Sequence, residues 1–131
     1  MAEFGSASAT GSCLCGAVQF TLQGPLHNVS YCHCVMCQRA SSHTVAYTAC
    51  DEAALVVADP RRKLKWYRSS HEARRAFCSR CGSQLFWKRD TAPHISVSAG
   101  SLDQPTGLRP GKHIFLDQIA DYDRAAFPTS E

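Results

Sequence analysis

The chain has 131 residues, a net charge of +3 and 44% hydrophobic residues, a size that fits one domain with one modest core rather than two. No run of 18 apolar residues occurs, which excludes a helical membrane span. Eight cysteines are far more than packing alone needs in a domain this small, and small domains commonly supplement a limited core with metal ions or disulfides.

Residues 1–10 are rich in Gly, Ser and Ala and carry Glu3 but no basic residue, so they lack the charged start and apolar centre of a secretory signal. They read as a disordered lead-in, with the folded domain expected over residues 11–127. The expected location is cytoplasmic, where thiols stay reduced and clustered cysteines hold metal more often than they form disulfides. A disulfide-stapled secreted domain is the competing reading, and the close Cys-x-Cys pairs suit metal better.

In chain order, Ala17–Leu22 alternates in part and reads as a strand that ends at Gly24-Pro25. Val29–Tyr31 is a short approach to the next cysteines, and Val45–Ala49 and Leu55–Val57 are two further strands. Asp59-Pro60 is a turn signal. Leu64–Arg68 and Arg74–Phe77 read as two strands joined through Ser69–His71, followed by Gln84–Trp87. His94–Ser98 alternates around Ile95 and Val97. A Gly- and Pro-rich loop spans Gly100–Gly111, and His113–Leu116 is a final strand. Ala53-Ala54 and Gln118–Ala120 suit short helical turns, and no segment carries an apolar helical stripe over three turns. The expected fold is all-β, one domain of short strands with cysteines on the turns between them.

Charge is unevenly placed. Arg61, Arg62, Lys63, Lys65, Arg68, Arg74, Arg75, Arg80, Lys88 and Arg89 crowd one stretch, opposed there only by Glu72. Such a run suits either solvated strand faces beside anionic thiolate sites or a surface for an anionic small molecule or nucleic acid. The aromatic residues within it, Trp66, Tyr67 and Phe77, fit a strand core better than a base-stacking platform, so nucleic acid is not the expected partner.

The cysteines fall into three groups and one outlier. Cys13-Leu14-Cys15-Gly16, Cys32-His33-Cys34-Val35-Met36-Cys37 and Cys78-Ser79-Arg80-Cys81-Gly82 are the groups, and Cys50 stands alone at the end of an apolar strand, where it reads as a small buried hydrophobe. Zinc takes four ligands in a tetrahedral shell and thiolates suit it. Seven clustered cysteines divide naturally into four and three, which gives one closed structural site and one open site with a position for water or substrate. Glycine follows both Cys15 and Cys81, which favours Cys13, Cys15, Cys78 and Cys81 as the closed set. Spacing alone also permits a ribbon of Cys34, Cys37, Cys78 and Cys81.

Four motifs in order go further: Gly11-Ser12-Cys13-Leu14-Cys15-Gly16-Ala17-Val18-Gln19-Phe20, Cys32-His33-Cys34-Val35-Met36-Cys37-Gln38-Arg39, Phe77-Cys78-Ser79-Arg80-Cys81-Gly82-Ser83-Gln84-Leu85, and His113-Ile114-Phe115. Together they resemble the glutathione-dependent formaldehyde-activating enzyme family, which also includes the centromere protein V-like proteins, over nearly the whole chain from Gly11 to about Phe127. The resemblance implies a zinc-stabilised, β-tent-like single domain of several small antiparallel sheets, structural zinc on Cys13, Cys15, Cys78 and Cys81, and catalytic zinc on Cys32, Cys34 and Cys37. It also implies a carbon–sulfur lyase that joins glutathione to formaldehyde as S-(hydroxymethyl)glutathione. Ser41-Ser42-His43 departs from the small residue and glycine that many members carry there, and residues 117–122 also differ.

Three thiolates leave an open zinc site with a surplus negative charge, which suits capture of a fourth sulfur better than activation of water. His33 is the candidate for orienting a ligand or moving a proton beside the three cysteines. His43, His94 and His113 are further acid–base candidates, and Arg39 and the Arg61–Arg75 run are candidates for binding glutathione carboxylates. A zinc-dependent module that binds nucleic acid or an anionic ligand without catalysis is the alternative function.

Overall fold

The computed structural model describes residues 4–126. Residues 1–3 of the expected lead-in and Phe127 at the expected domain end lie outside them. Ten strands form two sheets: β1 (Phe4–Ser12), β2 (Gln19–His27), β3 (Val29–Cys32), β4 (Val45–Asp51), β5 (Leu55–Ala58), β6 (Leu64–Arg68), β7 (Ala73–Cys78), β8 (Gln84–Arg89), β9 (His94–Ser98) and β10 (Pro110–Ile114). The smaller sheet runs β1-β2-β5 and the larger runs β10-β3-β4-β9-β8-β7-β6. Every pairing is antiparallel except β10 with β3, which is parallel. The mostly-strand expectation therefore holds.

The strands form where apolar side chains alternate onto one core. Phe20, Leu22 and Leu26 of β2 pack with Cys50 of β4, Ala76 of β7, Leu85 and Phe86 of β8, and Ile95 and Val97 of β9. The small sheet thus closes over the large one. Burying each large apolar side chain contributes about 1.5–3 kcal/mol. The edge-on contact of Phe20 and Phe86, with ring centroids 5.1 Å apart, adds about 0.5–1.5 kcal/mol. Cys50 belongs to this core, and burial pushes its thiol up to about 11. It behaves as the small hydrophobe expected of it.

Four elements differ from the sequence expectation. The strand expected over Ala17–Leu22 and ending at Gly24-Pro25 is β2, which starts at Gln19 and runs through Gly24-Pro25 to His27 beside β1. Residues 4–10, expected as disordered lead-in, belong to β1, which pairs antiparallel along β2 from Phe4↔His27 to Ser12↔Gln19. Backbone pairing holds this strand in register despite a sequence without apolar alternation. Val35–Ser41 forms a helix, α1, that no apolar stripe announced. Its only buried residue is Cys37, and its start is fixed by polar contacts: Cys37 N–H donates to Cys34 Sγ at 3.3 Å and Val35 N–H donates to Gln118 Oε1 at 2.9 Å. The helix stops at Ser42, whose φ of 62° is left-handed. The last strand, expected over His113–Leu116, instead spans Pro110–Ile114, because Phe115 takes a left-handed φ of 58° and turns the chain into a 3₁₀ turn at Leu116–Gln118.

Candidate metal centres

The structure brings the cysteines together as four and three. The Sγ atoms of Cys13, Cys15, Cys78 and Cys81 all lie within 4.8 Å of one another, and so do those of Cys32, Cys34 and Cys37. The ribbon of Cys34 and Cys37 with Cys78 and Cys81, which spacing left open, is not formed. All eight cysteines are free thiols. Sulfur–sulfur separations of 3.6 Å (Cys13–Cys15), 3.9 Å (Cys15–Cys78) and 3.5 Å (Cys32–Cys34) far exceed a disulfide. They match the edge of a tetrahedron with zinc–sulfur bonds of about 2.3 Å, roughly 3.8 Å. Both clusters therefore fit zinc in donor type and spacing.

The four-cysteine site joins two tight turns. Cys13 and Cys15 lie between β1 and β2, while Cys78 ends β7 and Cys81 lies in the turn to β8. In each turn a glycine amide closes back on the first cysteine: Gly16 N–H donates to Cys13 O at 3.2 Å and Gly82 N–H donates to Cys78 O at 2.7 Å. The two glycines have φ of 81° and 85°, a conformation that side chains rarely adopt, so the glycine after each second cysteine is a backbone requirement. Val18 N–H donates to Cys13 Sγ at 3.3 Å, and the Ser83 hydroxyl lies 3.2 Å from Cys81 Sγ while accepting from Leu14 N–H at 2.9 Å. The Ser83 hydroxyl is the largest influence drawing the Cys81 thiol down to about 5. Ala17 N–H, followed by the Arg80 side chain, lowers that of Cys15.

The three-cysteine site sits where β3 runs into α1. Cys32 ends the strand, Cys34 caps the helix and Cys37 lies in its first turn. Among the described residues no fourth Cys, His, Asp or Glu ligand atom completes the group. Cys37 is held as a thiolate, at about 5, by hydrogen bonds first from Cys32 and then from Arg75 and Cys34, against the opposing effect of burial. Cys32 is correspondingly driven well above the usual thiol range, by its bond to Cys37 and then by burial. Arg75 of β7 is buried, and its Nη2 donates to Cys37 Sγ at 3.6 Å while Nη1 donates to Tyr47 Oη at 3.2 Å. Burial works against the guanidinium charge, but the Cys37 and Tyr47 contacts outweigh it and the arginine stays charged. Arg75 was expected within a basic run, as a solvated strand residue or a group for glutathione carboxylates, and instead faces Cys37 and Tyr47. The available signal was its position two residues from the apolar Ala73, on the same face of one strand.

His33 lies between Cys32 and Cys34, yet both its ring nitrogens meet protein partners. Nε2 is 2.9 Å from His113 Nδ1, and Nδ1 is 3.0 Å from Thr44 Oγ1. One directed assignment satisfies the chain: His113 Nδ1–H donates to His33, His33 Nδ1–H donates to Thr44, and the Thr44 hydroxyl donates to buried Asp123 at 3.5 Å. His33 is fully buried, and burial followed by the neighbouring His113 lowers its basicity, which keeps it neutral. Its backbone N–H donates to Ile114 O at 3.0 Å, and Gln38 Nε2 donates to its carbonyl at 2.7 Å. These contacts pin the loop that carries the three sulfurs.

Arg39 and His43 come together at the rim. With Val35, Gln38, Ser42 and Tyr122 they line a cleft of about 320 Å³. His43 is half-exposed, stacks on Tyr122 and lies 3.9 Å from Asp123. A larger cleft, about 690 Å³, is lined by residues close in sequence or register to both cysteine sites, though by no cysteine itself. They include Ala40 and Ser41, three and four residues beyond Cys37 on α1, and Val45, the cross-strand partner of Cys32. Leu14, Gly82 and Ser83 of the four-cysteine turns also line it. Ser42 lines both clefts. His94 instead stacks on His27, with ring centroids 6.2 Å apart, and joins neither cleft lining.

The basic run disperses. Arg68 pairs with Asp90 at 2.9 Å, Arg89 with Glu72 at 3.1 Å, and Arg74 lies over the Trp66 ring at 4.5 Å. Lys88 is buried and donates to the carbonyls of Arg89 and Ala92, both at 2.6 Å. Among the described residues no helix is long and apolar enough to cross a membrane.

Comparison with known proteins agrees with this geometry. The family model described as "Glutathione-dependent formaldehyde-activating enzyme" matches residues 8–118. A crystal structure of a Rhodobacter sphaeroides protein aligns with a TM-score of 0.64 at 24% identity, covering 79% of this chain and 98% of that one, a likeness of fold.

Proposed function

The chain belongs to the glutathione-dependent formaldehyde-activating enzyme family, and on that premise we propose that it is a zinc-dependent carbon–sulfur lyase. It joins glutathione or another small thiol to formaldehyde or a related small carbonyl compound and cleaves the same adduct in reverse. The observation that carries this reading is the cluster of Cys32, Cys34 and Cys37, three thiols gathered without a fourth protein ligand among the described residues.

In the reaction the thiol sulfur forms a bond to the carbonyl carbon, the carbon–oxygen π pair moves to oxygen, and the thiol proton ends on that oxygen. Cys32, Cys34 and Cys37 would hold zinc with one position open, where a bound thiol would lose its proton and stay nucleophilic. Cys13, Cys15, Cys78 and Cys81 would hold a second, structural zinc. The hydroxyls and amide of Ser12, Ser41 and Gln84 line the larger cleft and can hydrogen-bond the amide body of the thiol. Arg39, in the adjoining cleft, pairs with a carboxylate. His43, open to solvent, exchanges the proton. His33 works by holding the cysteine loop in place, since both ring nitrogens are already engaged.

Thiols add to formaldehyde without a catalyst, so the test is acceleration above that background. The zinc-loaded chain is expected to speed approach to equilibrium from both directions, and Cys34→Ala is expected to return it to the uncatalysed rate. Full activity in a folded Cys34→Ala variant would exclude the open site as the catalyst.

A further inference from the structure

Arg75 lies in a run of basic residues, yet only 4% of its surface is exposed. Its guanidinium is directed onto Cys37 Sγ and Tyr47 Oη. Among the described residues no carboxylate lies within ion-pair distance of it. A buried guanidinium is costly unless its charge is met, and here the group that meets it is the thiolate cluster. The cluster has the converse problem, because a divalent ion with three thiolates carries one surplus negative charge in a largely buried place.

From this geometry we infer that Arg75, braced by Tyr47, is a positioning residue of the open metal site. It offsets the surplus charge of the loaded cluster and fixes Cys37 Sγ in the ligand position. This rests on the reading that Cys32, Cys34 and Cys37 hold a divalent metal. The four-cysteine site has a different arrangement: Arg80 beside Cys15 is exposed, where water already screens the charge. The effect of Arg75 is therefore specific to one of the two sites. Tyr47 contributes rigidity, since it packs against Cys32, Cys37 and Val45 and its hydroxyl accepts from Arg75. Outer-sphere partners of this kind typically change metal affinity by about 10–100-fold.

The test uses the full chain loaded with zinc, titrated against a chromophoric chelator that resolves two affinities, and the cobalt(II)-substituted protein, whose sulfur-to-cobalt charge-transfer band reports hydrogen bonds to sulfur. Arg75→Met is expected to weaken the weaker of the two sites by about 10–100-fold and shift the band, leaving the tighter site unchanged. Arg75→Lys, with a point charge but no fork, is expected to recover part of the affinity. Tyr47→Phe is expected to give a smaller loss in the same site. A folded Arg75→Met that keeps both affinities and the cobalt spectrum would overturn the inference, and so would parallel loss at both sites. If Arg75→Met does not fold, wild-type behaviour of Arg75→Lys and Tyr47→Phe overturns it. Uptake of one ion by the unmutated chain would instead remove the open metal site itself.

Discussion

Cys78→Ala should destabilise the zinc-loaded chain far more than Cys34→Ala. Both remove one sulfur from a three- or four-sulfur cluster, but the clusters close loops of very different length. Cys15 and Cys78 are 63 residues apart, and their sulfurs lie 3.9 Å apart in the fold. Chain-entropy arithmetic for a crosslink of that span gives roughly 4 kcal/mol. For a domain of this size, whose unfolding entropy is roughly 0.27 kcal/mol/K, that corresponds to about 15 °C in Tm. The open cluster ties only residues 32–37, already held by a strand end and a capped helix, and the same arithmetic gives about 2 kcal/mol, or about 7 °C. Thermal unfolding followed by circular dichroism with excess zinc measures both. A chelator should lower the Tm of the unmutated chain by at least the larger amount, and that of Cys78→Ala by only about 7 °C, the amount assigned to the open site. Equal losses in the two variants, or an unaffected Cys78→Ala, would refute the claim that the four-cysteine site staples the fold.

Three further outcomes follow from local geometry. Ser42 ends α1 in a left-handed conformation, so Ser42→Gly should raise stability by about 1 kcal/mol in denaturant unfolding, and a loss would contradict the assigned strain. Thr44→Val keeps the shape but leaves the buried His33 Nδ1–H without its acceptor, so it should cost about 1–3 kcal/mol, and a neutral result would mean the chain from His113 to Asp123 is dispensable. In chelator-treated native protein at pH 8, iodoacetamide should label Cys15 and Cys81, which are partly exposed and have lowered thiols, and spare Cys50, which is buried and has a thiol raised to about 11; peptide mapping that finds Cys50 labelled at a similar rate would show that the core is open.

The cysteine sites were legible because their chemistry is local. Short Cys-x-Cys and Cys-x-x-Cys spacings put two sulfurs on one turn, and the glycines at 16 and 82 mark the left-handed step that each such turn needs. Strands with apolar alternation, such as His94–Ser98, could be read for the same reason. What could not be read depends on partners distant in the chain. β1 is a strand through its backbone pairing to β2. β10 is defined by parallel pairing to β3, which brings His113 level with Tyr31 and its ring within reach of His33. α1 is fixed by a cysteine cap and by Gln118, 83 residues beyond Val35. Arg75 looked like one more surface cation because the thiolate it meets belongs to a different segment.

The central claim is an open thiol-binding metal site on Cys32, Cys34 and Cys37, and native mass spectrometry of the zinc-loaded chain with and without glutathione tests it most directly. The account predicts two zinc ions per chain and a glutathione adduct, with one zinc ion and the adduct lost together in Cys34→Ala. One zinc ion per chain, unchanged by Cys34→Ala, would contradict it.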